Sequence, residues 1–192
     1  DFQVLTAAKL DALEATKLKG ISTNLISNLT STQLGALTST TVGNLTSSQV
    51  AVLNSTQLGQ LTTTNFAGLT AAQIVTLSND EVAALTTDRI KVLAVETLQA
   101  LTTSQIQALT TTQMSTLHSS TIANFTTTQV RALATEDLKA LTTTGLAVLN
   151  QAQVNALTTT QLCALTSTMV NSITTTNATW LAATAYTPIV LD

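Results

Sequence analysis

Few side chains in this sequence could carry chemistry. One histidine and one cysteine occur in 192 residues. A zinc site needs several Cys, His or acidic ligands close together, and His118 stands alone. Cys163 has no histidine near it in sequence to raise its reactivity, and a lone cysteine cannot form an intrachain disulfide. The acids Asp80, Glu81, Asp88, Glu96, Glu136 and Asp137 show neither EF-hand spacing nor the glycine-rich calcium nonapeptide. No phosphate-cradling glycine loop, nucleophile elbow or HExxH helix is present. The expectation is a chain that is not an enzyme and uses no metal or cofactor. Asn-x-Ser/Thr acceptors at Asn28, Asn44, Asn54, Asn124 and Asn177 carry little weight in so Thr-rich a sequence. A regular threonine array also raises an ice-binding face, but the hydroxyls of the repeat are already claimed by helix caps.

Composition narrows the field further. The chain is 44% hydrophobic, 9% charged and 3% aromatic, with net charge −3. Charge lies far below the roughly 25% usual in soluble domains, while the aliphatic content is too high for a disordered segment. Seven scattered basic residues give no patch for nucleic acid or an anionic membrane. Thr or Gln interrupts every apolar pair, so no run of about 18 apolar residues could span a bilayer. Low charge and abundant Thr suit an extracellular or cell-surface setting.

The element that positions all these residues is an octad. Leu29, Leu37, Leu45, Leu53, Leu61, Leu69, Leu77, Leu85, Leu93, Leu101 and Leu109 stand eight apart without a slip. The register extends back to Leu5 and forward to Leu165 and Ile173, which gives twenty-two units. With Leu as position one, the unit reads Leu-Thr-Thr-x-Gln-Leu-x-Ala, as at Leu157–Ala164. A short fixed period over most of a chain means a repeat architecture.

Within each unit, Thr at two and Gln at five form a capping box, in which each side chain bonds the other residue's backbone N–H. Positions one and six then become the hydrophobic staple around the same helix start. Acids gather at positions four and five, and Lys19, Lys91, Arg131 and Lys139 fall at seven, as the helix dipole favours. Lys9, Lys17 and Arg89 at five and Asp11 at seven run against that trend. Gly20, Gly35, Gly43, Gly59 and Gly68 lie at seven or eight, where a helix would end; Gly145 is the exception. The fold class expected is all-α, a solenoid of short capped helices, one per octad. The alternative is a β-solenoid, kept open by the Thr and Val content. A continuous α-helix fits poorly, because eight residues leave successive leucines about 80° out of phase.

One such helix is too short to stand alone, so stability must come from neighbouring units. The leucines are expected to line a narrow core, with Thr, Ser and Gln outside. With two units per turn and layers about 9 Å apart, the array would be a rod on the order of 100 Å long.

The ends differ from the middle. Residues 1–4 form an N-terminal extension, 5–180 the octad solenoid, and 181–192 a C-terminal cap or assembly segment. The first two units are the most charged part, with Lys9, Asp11, Glu14, Lys17 and Lys19, which fits the polar outer face of a terminal repeat. The only Trp, Tyr and Pro cluster after Ile173. Ile189-Val190-Leu191 after Pro188 reads as a short extended strand able to add to another subunit. The candidate assembly contacts are Phe2, Val4, Trp180, Tyr186, Ile189, Val190 and Leu191.

Units such as Leu101-Thr-Thr-Ser-Gln-Ile-Gln-Ala and Leu157-Thr-Thr-Thr-Gln-Leu-Cys-Ala resemble the Leu-Thr-Thr-x-Gln octapeptide arrays of large bacterial secreted and surface proteins, many of them adhesin-like. That resemblance covers Leu5 to Ile173, implies an extracellular structural role and carries over no functional residue. The chain departs from those arrays in being short, nearly all repeat, and distinct at its two ends. The functional expectation is a non-enzymatic rod that self-assembles head-to-tail into an extracellular fibre, its partner a second copy of itself. The alternative is an adhesive stalk presenting a Thr/Gln face to glycan or another cell-surface or matrix component.

Overall fold

Backbone at position two is extended, and position three begins a helix. Thr30, at φ −75 and ψ 160, precedes the helix Ser31–Gly35. Asn54, at φ −80 and ψ 170, precedes Ser55–Leu58. The computed structural model describes residues 6–173, and twenty helices of four to six residues run from Ala7–Asp11 to Thr159–Cys163. Residues 167–173 are helical as well, and no strand occurs among the described residues. The architecture is therefore the all-α octad array, not a β-solenoid or a continuous helix. The 1–4 extension and the 181–192 segment lie outside the described residues.

Capping boxes close the helix starts. The Thr30 N–H donates to Gln33 Oε1 at 2.8 Å, and the Gln33 N–H donates back to Thr30 Oγ1 at 3.3 Å. The same reciprocal pair joins Thr102 to Gln105 and Ser78 to Glu81. Helix ends differ from expectation. No glycine has positive φ among the described residues, so none makes the left-handed C-cap. The leucine of the next unit closes the helix instead, as where the Leu29 N–H donates to the Ile26 carbonyl at 3.1 Å. The chain then goes extended into the next cap. Two glycines serve another purpose. A Cβ on Gly43 would stand 2.8 Å from the Gly68 carbonyl, and one on Gly68 would collide with the Ser39 backbone. They let two stacked turns approach.

Every buried hydrophobic side chain from Leu10 to Ile173 occupies position one or six, and together they form one continuous core. Each helix packs mainly on the helix three units along: Ala71–Ile74 on Val95–Ala100, Thr103–Gln107 on Thr127–Ala132, and Thr111–Thr116 on Thr135–Ala140. Hydrogen bonds between turns span 25 to 31 residues. A turn thus takes between three and four octads, not two. About 28 residues per turn gives six turns over the described residues. At about 9 Å per layer the rod is roughly 55 Å long, half the expected length.

Candidate functional site: the position-five ladder

Position four is exposed in every described unit, and Thr and Ser fill most of these sites. Position five is not exposed in the same way. All the buried polar residues (Thr41, Gln49, Asn65, Gln73, Thr97, Gln105, Gln113, Gln129, Asp137, Gln153 and Gln161) stand at position five. This corrects the expectation that Gln covers the outside.

The chemistry explains the burial. The carbonyl of a position-one residue such as Leu45 or Leu85 sits in extended backbone next to the core and accepts no backbone N–H among the described residues. A buried carbonyl without a donor is costly. The glutamine of the overlying turn supplies one. Gln105 Nε2 donates to the Ile74 and Leu77 carbonyls, each at 2.8 Å. Gln129 bonds Leu98 and Leu101, Gln73 bonds Val42 and Leu45, and Gln49 bonds Leu18 and Ile21. The offsets are 31 and 28 residues. Each amide thus bridges the junction between two units of the turn below, while its Oε1 caps its own helix. An amide has one acceptor oxygen and two N–H donors, and here all three are used.

That triple use was legible in residue choice. A capping box takes Glu as readily as Gln, and the helix dipole prefers Glu in the first turn. Yet position five of the described units carries nine glutamines and one glutamate, Glu81. Only the amide can also donate, and that bias was the missed signal.

Substitutes at position five show the same demand. Asn65 Nδ2 donates to the Leu34 and Gly35 carbonyls. Arg89 donates through Nη2 to Gly59 and Leu61 at 2.6 and 2.8 Å, and through Nη1 to its own cap Thr86. A cation can therefore hold a carbonyl pair. Thr97 reaches one carbonyl, Leu69. Thr41 turns its hydroxyl to Asp11 of the turn below instead, and the same carboxylate oxygen accepts from the Thr38 N–H at 3.1 Å. Arg89 and Asp11, both against the charge trend, are thus parts of the ladder.

The ladder has gaps at Thr121, Asp137 and Gly145, on either side of the intact Gln129 bridge. His118 is the N-cap of Ser119–Ala123 but makes no side-chain cap bond. Gly145 has no side chain to donate, and Ile122 occupies the space its Cβ would need. Asp137 is buried where an amide would donate. Burial first, and Glu136 beside it second, push its carboxyl above the ordinary value.

The remaining candidates stand apart. Cys163 is exposed at the end of Thr159–Cys163. Asn54 serves as an N-cap, its Oδ1 accepting from the Gln57 N–H at 2.9 Å. Two ion pairs, Lys91–Asp88 and Lys139–Glu136, lie within single helices. No group of three His, Cys, Asp or Glu that could hold a metal is found among the described residues. No helix there is long and apolar enough to cross a membrane. The candidate assembly contacts Phe2, Val4, Trp180, Tyr186, Ile189, Val190 and Leu191 lie outside the described residues.

The arrangement defines a helical octad-repeat solenoid held by an interior amide ladder. A family model described as the ALTTAQ repeat matches residues 26–63 and 130–167. Its six letters are the ladder unit: the alanine of position eight, the leucine of the core, the threonine cap and the bridging glutamine, as at Ala100–Gln105. No curated protein and no solved structure matches the chain.

Proposed function

We propose that this chain is a non-enzymatic structural rod that assembles head-to-tail into an extracellular fibre. The observation that carries the proposal is a single hydrophobic core running from Leu10 to Ile173. Such an array has two unlike ends and identical rules of stacking throughout. A heterologous contact between unlike ends propagates as an open filament. The low charge and the Ser and Thr at the outward position four support a surface that stays hydrated without inviting ionic partners.

Negative-stain electron microscopy of the full chain over a concentration series tests this. Long uniform fibres are expected, and deleting residues 187–192 should abolish them while leaving the helical circular dichroism unchanged. Isolated rods of roughly 55 Å at every concentration would overturn the fibre. They would favour a stalk that presents its exposed Thr and Ser, rather than its buried glutamines, to glycan or a cell-surface component.

A further inference from the structure

Charge is spread unevenly around the solenoid. Because each helix stacks on the one three units along, every third octad falls in one column. One such column runs through Thr23–Ser27, Ser47–Val50, Ala71–Ile74, Val95–Ala100, Ser119–Ala123 and Thr143–Ala147. Within it, Gln99 Nε2 donates to the Asn124 carbonyl at 3.0 Å and ties the fourth layer to the fifth. Glu96 is the only charged side chain in these six octads, and His118 the only other titratable one. All other charged side chains of the described residues stand in octads outside the column. The exposed large hydrophobic side chains do the opposite. Among the described residues these are Val52, Val75, Val92 and Val95. Val52 and Val75 follow the helices Ser47–Val50 and Ala71–Ile74, Val95 opens Val95–Ala100, and Val92 lies just before that octad. Ala71 and Ala72 also stand at positions three and four, where most units carry Thr or Ser. Exposed apolar residues scattered singly need no explanation. Four gathered on three successive layers of an uncharged column do.

We propose that this column is the face on which a second copy of the chain docks, side by side. Its area is sufficient. Six layers about 9 Å apart and about 10 Å wide offer roughly 500 Å² on each copy. The pair then buries about 1,000 Å², the size at which a specific interface begins. Two uncharged faces meet with no like charges opposed and almost no ion to desolvate. The partner must be apolar, uncharged and about as long as the rod, and the same column of a second copy is all three. The valines suit a two-fold contact. Val52 lies one layer below Val75, and Val95 one layer above. A two-fold axis at Val75 therefore sets Val52 of each copy against Val95 of the other, the isologous pattern of a closed dimer. Glu96 then lies over the layer of Ser48, an exposed hydroxyl donor. The pairing needs no contact between rod ends, so it stands apart from the fibre reading above.

The test uses the full chain and two double variants. Val52→Lys/Val75→Lys puts two charges on the face, just past helix ends where the dipole favours cations, so the monomer should melt like the unaltered chain. Gln107→Lys/Ser115→Lys adds the same charge at exposed position-seven sites outside the column. Sedimentation velocity over a concentration series, with negative-stain microscopy for width, should show particles two rods wide for the unaltered chain and for the Gln107/Ser115 variant. The Val52/Val75 variant should need at least about tenfold more protein to pair, because its lysines would be buried without partners. Val75→Cys in a Cys163→Ser background should oxidise to a linked dimer, and Gln107→Cys in the same background should not. Particles one rod wide at every concentration would overturn the pairing, as would equal weakening by both lysine variants. Single rods that float with phosphatidylcholine vesicles would overturn it in favour of a lipid surface. Long fibres one rod wide would overturn the pairing and leave the fibre reading standing, whereas paired rods without fibres would do the reverse.

Discussion

At the scale of single residues, the position-five amide is where the fold is most sensitive. Gln105→Glu keeps shape and the cap to Thr102 but removes both donors to Ile74 and Leu77. Two buried carbonyls lose their partners and face a carboxylate, so a loss of about 2–4 kcal/mol is expected, read by urea denaturation. Asp137 is the natural counterpart of that variant. Its carboxyl is raised above 3.8 by burial and by Glu136, so the folded chain holds its proton more tightly than the unfolded chain. Above the raised value the carboxylate is ionised in both states, and its cost is fully present. As pH falls through the raised value towards 3.8, that cost disappears. Asp137→Gln should therefore stabilise by about 1 kcal/mol at pH 7. Its advantage over the unaltered chain should shrink steadily on acidification towards pH 4, and urea titrations at several pH values would show whether it does.

At the scale of the helix, the unit is nearly self-describing, and its weak copies can be repaired. The helix Ser119–Ala123 starts at His118 without a side-chain cap, and Thr121 makes no bond to the turn below. His118→Thr with Thr121→Gln would install both the capping box and the bridge to the Ile90 and Leu93 carbonyls. A gain of about 1–2 kcal/mol is expected, with either single change giving less than its share, since the box is reciprocal. Differential scanning calorimetry of the three variants would measure this. Helix starts, core positions and helical class were all legible in the sequence, because cap, staple and dipole act within eight residues. The turn was not, because the contacts that set it span 25 to 31 residues and every octad offers the same partners at any whole number of units. Glycine misled for a related reason. Gly43 and Gly68 sit where a helix-ending glycine would, yet their use is the gap between stacked turns, which no local pattern reveals.

For the whole molecule, this periodicity means that the array should tolerate loss of a unit wherever the contacts are generic, and resist it where a pair of turns is individually fitted. Deleting residues 101–108 slides the upper turns down by one octad. Gln129 then lies over the Ile90 and Leu93 carbonyls, and a leucine still meets the core at every step. Deleting residues 53–60 makes the same cut in the same ladder but moves Gly68 away from Ser39 and brings Thr76 to that place. The Ser39 backbone leaves no room there for a Cβ, so the turns must part at this point and the core beneath Val42 and Phe66 must loosen. The first deletion should cost no more than the few degrees in melting temperature expected for a shorter array. The second should cost clearly more, by about 1–3 kcal/mol of overpacking strain. Thermal melts of the two equal-length deletions compare them directly, and equal melting temperatures would mean that the stacked turns are interchangeable throughout.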